Sequence, residues 1–116
     1  MKPSVAGKAV ERLFPFVVRA RKLLVGRDAL ARNKSKLQWV LISSDISEGS
    51  RDQVLKDFSD YPIVQHFASA DFERFFNVRN AKVLGFAKST LAKSIYSELK
   101  EYRINKPAEQ PSTPAE

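Results

Sequence analysis

The chain has no cysteine, one histidine, four glycines among 116 residues, and no long apolar run. Without cysteine, disulfides, thiolate zinc sites and cysteine nucleophiles are excluded, and the absence fits a reducing compartment. With His66 as the only imidazole, no histidine pair is available to grip a metal, and the carboxylates show no ligand spacing. Nothing approaches the ~20 apolar residues of a membrane-spanning helix. The longest apolar run near the start, Leu13 to Val18, is short and broken by Pro15, so no signal peptide is expected. A soluble, cytoplasmic chain is the expectation.

The hydrophobic share is 43%, with eight phenylalanines, enough for a packed core without metals or disulfides. Twenty Lys and Arg against thirteen Asp and Glu leave a net charge of +7. An imbalance of this kind draws polyanions at long range and says nothing about fold. The charge is unevenly spread. Arg19, Arg21, Lys22, Arg27, Arg32, Lys34 and Lys36 face the single acid Asp28 in one stretch, whereas Asp45 to Asp60 is acid-rich. A nucleic-acid footprint needs such a one-sided field.

Leu13, Phe16, Val17 and Ala20 recur at helical spacing, with Pro15 acceptable only in a first turn. Leu23, Leu24 and Val25 close this helical stretch at Gly26, and a short helix from Arg27 to Asn33 follows with little to bury. Leu37 to Ile42 is too apolar and too short for a helix with a wet face, and reads as a central strand. Ser47 caps a helix to about Ser59, with Val54, Leu55 and Phe58 inward. Ile63 to Phe67 forms a second strand, and Ser69 caps a helix whose stripe Phe72, Phe75 and Phe76, at helical spacing, reads as core in preference to a stacking platform for bases. Asn77 to Asn80 is a turn, and Ala81 to Ala87 a third strand interrupted by Gly85. Ser89 to about Arg103 is the last helix, burying Leu91, Ile95, Leu99 and Tyr102. Strands alternating with helices argue a sheet sandwiched between helices. The expected organisation is a partly ordered lead-in over 1–12, one α/β domain over 13–104, and a proline-rich disordered tail over 105–116.

Candidate chemistry is sparse. A hydrolytic arrangement would need His66 to meet Ser43, Ser44 or Asp45 across neighbouring strands, and no serine sits between two glycines as in a nucleophile elbow. Gly85-Phe86-Ala87-Lys88-Ser89-Thr90 resembles the back half of a phosphate-binding loop, but Ala87 stands where the second glycine belongs. Its plainer reading is a strand end with Ser89 or Thr90 capping a helix, where an anion can still rest. The basic stretch carries the stronger signal. Arg27 beside Gly26, with Arg19 and Lys22 three residues apart on the preceding helix, is expected to converge on one phosphate-gripping surface.

Arg19-Ala20-Arg21-Lys22-Leu23-Leu24-Val25-Gly26 resembles a stretch in short bacterial members of the kink-turn RNA-binding ribosomal protein family, the L-seven-Ae and L-thirty-e superfamily. Trp39 to Asp45 is similar to that family's apolar strand ending in an acidic turn, and Val83 to Ile95 to its last strand and helix. The resemblance implies an L-thirty-e-like, three-layer α/β/α sandwich with a small central mixed sheet, and binding to structured RNA. Carried over, Gly26, Arg27 and Asp28 form one RNA-contacting surface, and Asn77, Val78, Arg79 and Asn80 a second. Arg27-Asp28 stands where RNA-binding members carry an Asn-Glu pair. Arg19, Lys22, Arg32 and Lys36 complete the expected basic patch. The resulting expectation is a monomeric RNA-binding accessory protein, ribosomal or otherwise, with no catalysis, cofactor, metal or membrane partner. The alternative is a protein-interaction domain of the same fold that has lost RNA binding.

Overall fold

The computed structural model describes residues 10–105. The expected lead-in and tail therefore lie mostly outside the described residues. Two of their members are described: Val10 is fully buried in the core, and Asn105 is hydrogen-bonded to the edge of the sheet.

Helix α1 spans Phe14–Arg19, with Pro15 in its first turn and Phe14 and Val17 inward. The helical reading of Leu23 to Val25 is corrected. The helix stops at Arg19, Arg21 turns the chain with a left-handed φ of 59°, and Leu23–Val25 form strand β1. Helix α2 (Arg27–Arg32) follows, and its Leu30 is fully buried although little burial was expected. After a 3-10 turn at Lys34–Lys36 comes β2 (Leu37–Ile42), as its composition predicts.

Helix α3 (Glu48–Asp57) is capped by Ser47, whose hydroxyl accepts the Ser50 N–H at 3.2 Å. Strand β3 (Ile63–Gln65) is shorter than expected, because Phe67 takes a left-handed φ of 70° that no strand accommodates. Helix α4 (Ser69–Phe76) has Ala68, not Ser69, at its cap, and Asp71 reaches back to accept the Ala68 N–H at 3.0 Å. Strand β4 (Val83–Ala87) runs through Gly85 without interruption. Helix α5 (Thr90–Leu99) is capped by Ser89, and the last turn to Tyr102 is 3-10 rather than α.

The sheet order is β1-β4-β2-β3. The β2–β3 pair is parallel and the other two pairs are antiparallel, which makes the sheet mixed. On one face α1, α4 and α5 pack over Trp39, Leu41, Leu84 and Phe86. On the other, α2 and α3 pack over Val40, Ile42 and Val83. A register shift between Leu37 and Trp39 turns Leu37 to this second face beside Leu30. The result is a three-layer α/β/α sandwich. Trp39 stacks on Phe86 at 4.3 Å and donates its indole N–H to Ala92 O at 3.0 Å, so its one polar atom is satisfied within the core.

Candidate nucleic-acid interface

Strand directions decide what meets at each end of the sheet. The last residues of β1, β2 and β3 and the first of β4 lie together: Val25 opposes Leu84, Ile42 opposes Val83 and Gln65. Four loops therefore gather at this end, around Gly26–Asp28, Ser43–Asp45, His66–Ser69 and Arg79–Lys82. In open α/β sheets the carboxyl ends of parallel strands are where ligands find a crevice, and β2 and β3 supply such a pair.

Gly26 leaves β1 with φ 90° and ψ 152°, a backbone region essentially reserved for glycine. Its N–H donates to Val83 O at 2.9 Å and its carbonyl accepts the Leu30 N–H at 3.1 Å, so it joins strand to helix. Apart from its chain neighbours, nothing lies within 4 Å of where a Cβ would stand; conformation, not space, requires the glycine. Arg27 and Asp28 follow it, exposed.

Beside them the Asp45 carboxylate accepts from Ser69 twice, from N–H at 2.9 Å and from Oγ at 2.7 Å, and pairs with Lys82 Nζ at 3.3 Å. The Ser69 bonds hold the Asp45 carboxyl well below the usual carboxylate range. Asp45 thus takes the first N–H of α4 and ties two strand ends together, and it is engaged there rather than by His66. Ser43 Oγ is buried with no partner of hydrogen-bond geometry among the described residues. The His66 ring stacks on Tyr102, with centroids 3.9 Å apart, and burial pushes its imidazole pKa down despite Asp71 and Glu101 nearby. Phe67 holds its left-handed backbone between these groups while its carbonyl accepts the Ser44 N–H at 2.7 Å.

The positions singled out in the sequence do not all come together. Gly26, Arg27 and Asp28 stand at this end, and the loop Asn77–Asn80 reaches it through Ala81 and Lys82, whose carbonyl accepts the Ser43 N–H. Asn77 and Asn80 both adopt left-handed φ, Val78 packs on the core, and Arg79 and Asn80 are exposed. Arg19 shares a hollow of about 220 Å³ with Pro15, Val18, Phe75, Phe76 and Asn77, its guanidinium 5.6 Å from the Phe16 ring. Lys22 and Lys36 are elsewhere. Lys22 O accepts the Ala87 N–H and Lys36 O the Lys88 N–H, both at 2.8 Å, at the opposite end of the sheet. Lys22 is four strand residues from Gly26, roughly 13 Å, and it lies beyond α1 rather than one turn along it. Arg32 ends α2, at the other end of the helix from Gly26. The expected convergence of all these cations around Gly26 is therefore corrected: α2 and the strands divide them between two ends.

What the sequence reading missed at the Gly26 end are Asp45, Ser69, Lys82 and the His66–Phe67 pair. The residues Ser44-Asp45 and Ala68-Ser69 after two apolar strands carried the signal, since parallel pairing brings such strand ends side by side.

No protein-family model matches the chain, and no curated protein matches it by sequence. Among solved structures, the fold is similar to that of a Bacillus halodurans protein of unknown function, at TM-score 0.71 and 17% identity, over 78% of this chain and 96% of that one. It is also similar to the Giardia lamblia 15.5kD RNA binding protein, at TM-score 0.63 and 17% identity, over 88% of each chain. Among the described residues no helix is long and apolar enough to cross a membrane.

Proposed function

We propose that this chain binds structured RNA without transforming it, and docks non-helical or kinked RNA at the Gly26 end of the sheet. The observation that carries the reading is the meeting of four loops there. They offer exposed donors on Arg27, Arg79 and Asn80 beside the acceptor Asp28. Unpaired or non-Watson–Crick bases present both donors and acceptors, and such a rim can answer both. The net charge of +7 supports a polyanionic partner, and the shared fold with a protein named for RNA binding supports RNA in particular. A ribosomal or other cytoplasmic RNA, engaged by a monomer, is the partner class this reading entails.

The test is Arg27→Glu combined with Arg79→Glu, titrated against a kinked RNA hairpin and a plain duplex of equal length. Affinity for the hairpin is expected to fall by roughly tenfold or more at moderate salt, and the preference over duplex to shrink. Unchanged hairpin affinity overturns the assignment. The pairing of Lys82 with Asp45 and the exposed Phe16 and Val18 on α1 favour, as a second reading, a protein-interaction domain of the same fold. Nucleic acid that copurifies with the chain and is released by salt argues against it.

A further inference from the structure

We propose that the opposite end of the sheet is a second phosphate-binding face, blind to sequence, through which one molecule holds a second RNA segment. The inference rests on the RNA-binding reading and adds a separate surface to it. Lys22, Lys88 and Lys36 stand at adjacent ends of β1, β4 and β2, joined by the backbone bonds from Ala87 N–H to Lys22 O and from Lys88 N–H to Lys36 O. Neighbouring strands lie about 4.8 Å apart, which sets the backbones of the three lysines side by side at this end. Lys93, one turn into α5, lines an open cleft of about 640 Å³ with Lys88, Gln38 and Tyr61, where Asp60 is the one acid.

None of the four lysines is in an ion pair among the described residues, whereas Arg51, Arg74 and Lys82 are. Like charges gathered without partners repel one another, and a polyanion relieves that repulsion. At the start of α5, Ser89 N–H is committed to Gln38 Oε1 at 3.3 Å and Ala92 N–H to Ser89 Oγ at 3.0 Å. The cations gathered here are ammonium groups, which act as point charges on phosphates and read no base edge. None of the large exposed apolar side chains among the described residues lines this cleft. The exposed Phe16 and Val18 are on α1, Val25 is at the far end of β1, and Ile104 runs along the outer edge of β3. The five residues of β4 separate the two faces by about 17 Å, so they are distinct surfaces at opposite ends of the sheet.

The experiment uses the full chain bound to a bead-immobilised kinked hairpin and asks whether it recruits a fluorescent plain RNA duplex. Lys22→Gln, Lys36→Gln and Lys88→Gln together are expected to keep hairpin affinity within about twofold and cut duplex recruitment by roughly tenfold. The slope of log affinity for duplex against log salt should fall by about 2–3, near one per lost phosphate contact. A control with Arg12→Gln, Lys56→Gln and Lys100→Gln removes the same charge and should leave recruitment intact. Equal recruitment by wild type and the lysine variant overturns the second face, as does equal loss in the control. A hairpin that binds but recruits no duplex removes this face alone. Duplex recruitment that depends on the lysines, with hairpin binding indifferent to Arg27→Glu and Arg79→Glu, removes the Gly26-end reading instead. Failure to bind either RNA removes both. Lysine-dependent binding to phosphatidylserine vesicles without duplex recruitment assigns the face to a membrane and overturns the proposal.

Discussion

Gly85 pairs with Leu24 on one side and Val40 on the other. A Cβ there would stand 2.7 Å from Leu37 Cδ1 and 2.8 Å from Leu30 Cγ. Both are buried side chains, so the glycine marks a close approach rather than a break in the strand. It lets Leu30 seat α2 directly on the sheet, and α2 carries Arg27 at its start. Gly85→Ala is expected to cost about 1–3 kcal/mol through overpacking, and Leu30→Ala about 2–5 kcal/mol through the cavity left behind. In the double variant the new methyl occupies part of that cavity, so urea unfolding should show a cost below the sum of the two. Additive costs would mean that Leu30 does not press on Gly85, and that α2 is held by something else.

Elements were legible where their signal is local. Leu37–Ile42 is buried on nearly every side chain and announces itself by composition, and Ser47 and Ser89 cap helices as hydroxyls do. Leu23–Val25 was not legible, because three apolar residues after a helical pattern look like its continuation. Their strand state comes from pairing with Leu84–Phe86, far along the chain. The C-terminal segment is a similar case. Polar composition gives Asn105 no reason to be ordered. Yet its side-chain Oδ1 accepts the Ile63 N–H at 2.7 Å and its side-chain Nδ2 donates to Tyr61 O at 2.8 Å, while Arg103 bridges to Val64. This segment covers the outer edge of β3, an edge that would otherwise offer unpaired donors and acceptors to another chain. Asn105→Ala leaves the part-buried Ile63 N–H without its acceptor and is expected to lower stability by about 1–3 kcal/mol in urea unfolding. A change near zero would mean that water replaces the side chain and that the segment is no part of the sheet's edge.

For the whole molecule the charge, not the fold, was hardest to place from sequence. Seven cations between Arg19 and Lys36 form one run along the chain, but β1 carries it from one end of the sheet to the other and α2 carries it back. Neighbours in sequence, Lys22 and Arg27, finish at opposite ends, whereas Lys22, Lys36 and Lys88 become neighbours in space. That arrangement has a consequence for the chain with no RNA bound. Clustered lysines on a molecule of net charge +7 repel one another more in the folded state than in the expanded one, so folding works against their field. Raising sodium chloride from 0.01 M to 0.15 M shortens the screening length from about 30 Å to about 8 Å. The melting temperature should therefore rise, by roughly 2–6 °C if about half to one kcal/mol of repulsion is removed. Lys22→Gln, Lys36→Gln and Lys88→Gln together should flatten that rise, and flatten it more than the same number of substitutions at the dispersed Arg12, Lys56 and Lys100. Equal salt dependence in the two triple variants would place the lysines too far apart to feel one another, and a face that cannot repel its own charges has no special hold on a string of phosphates.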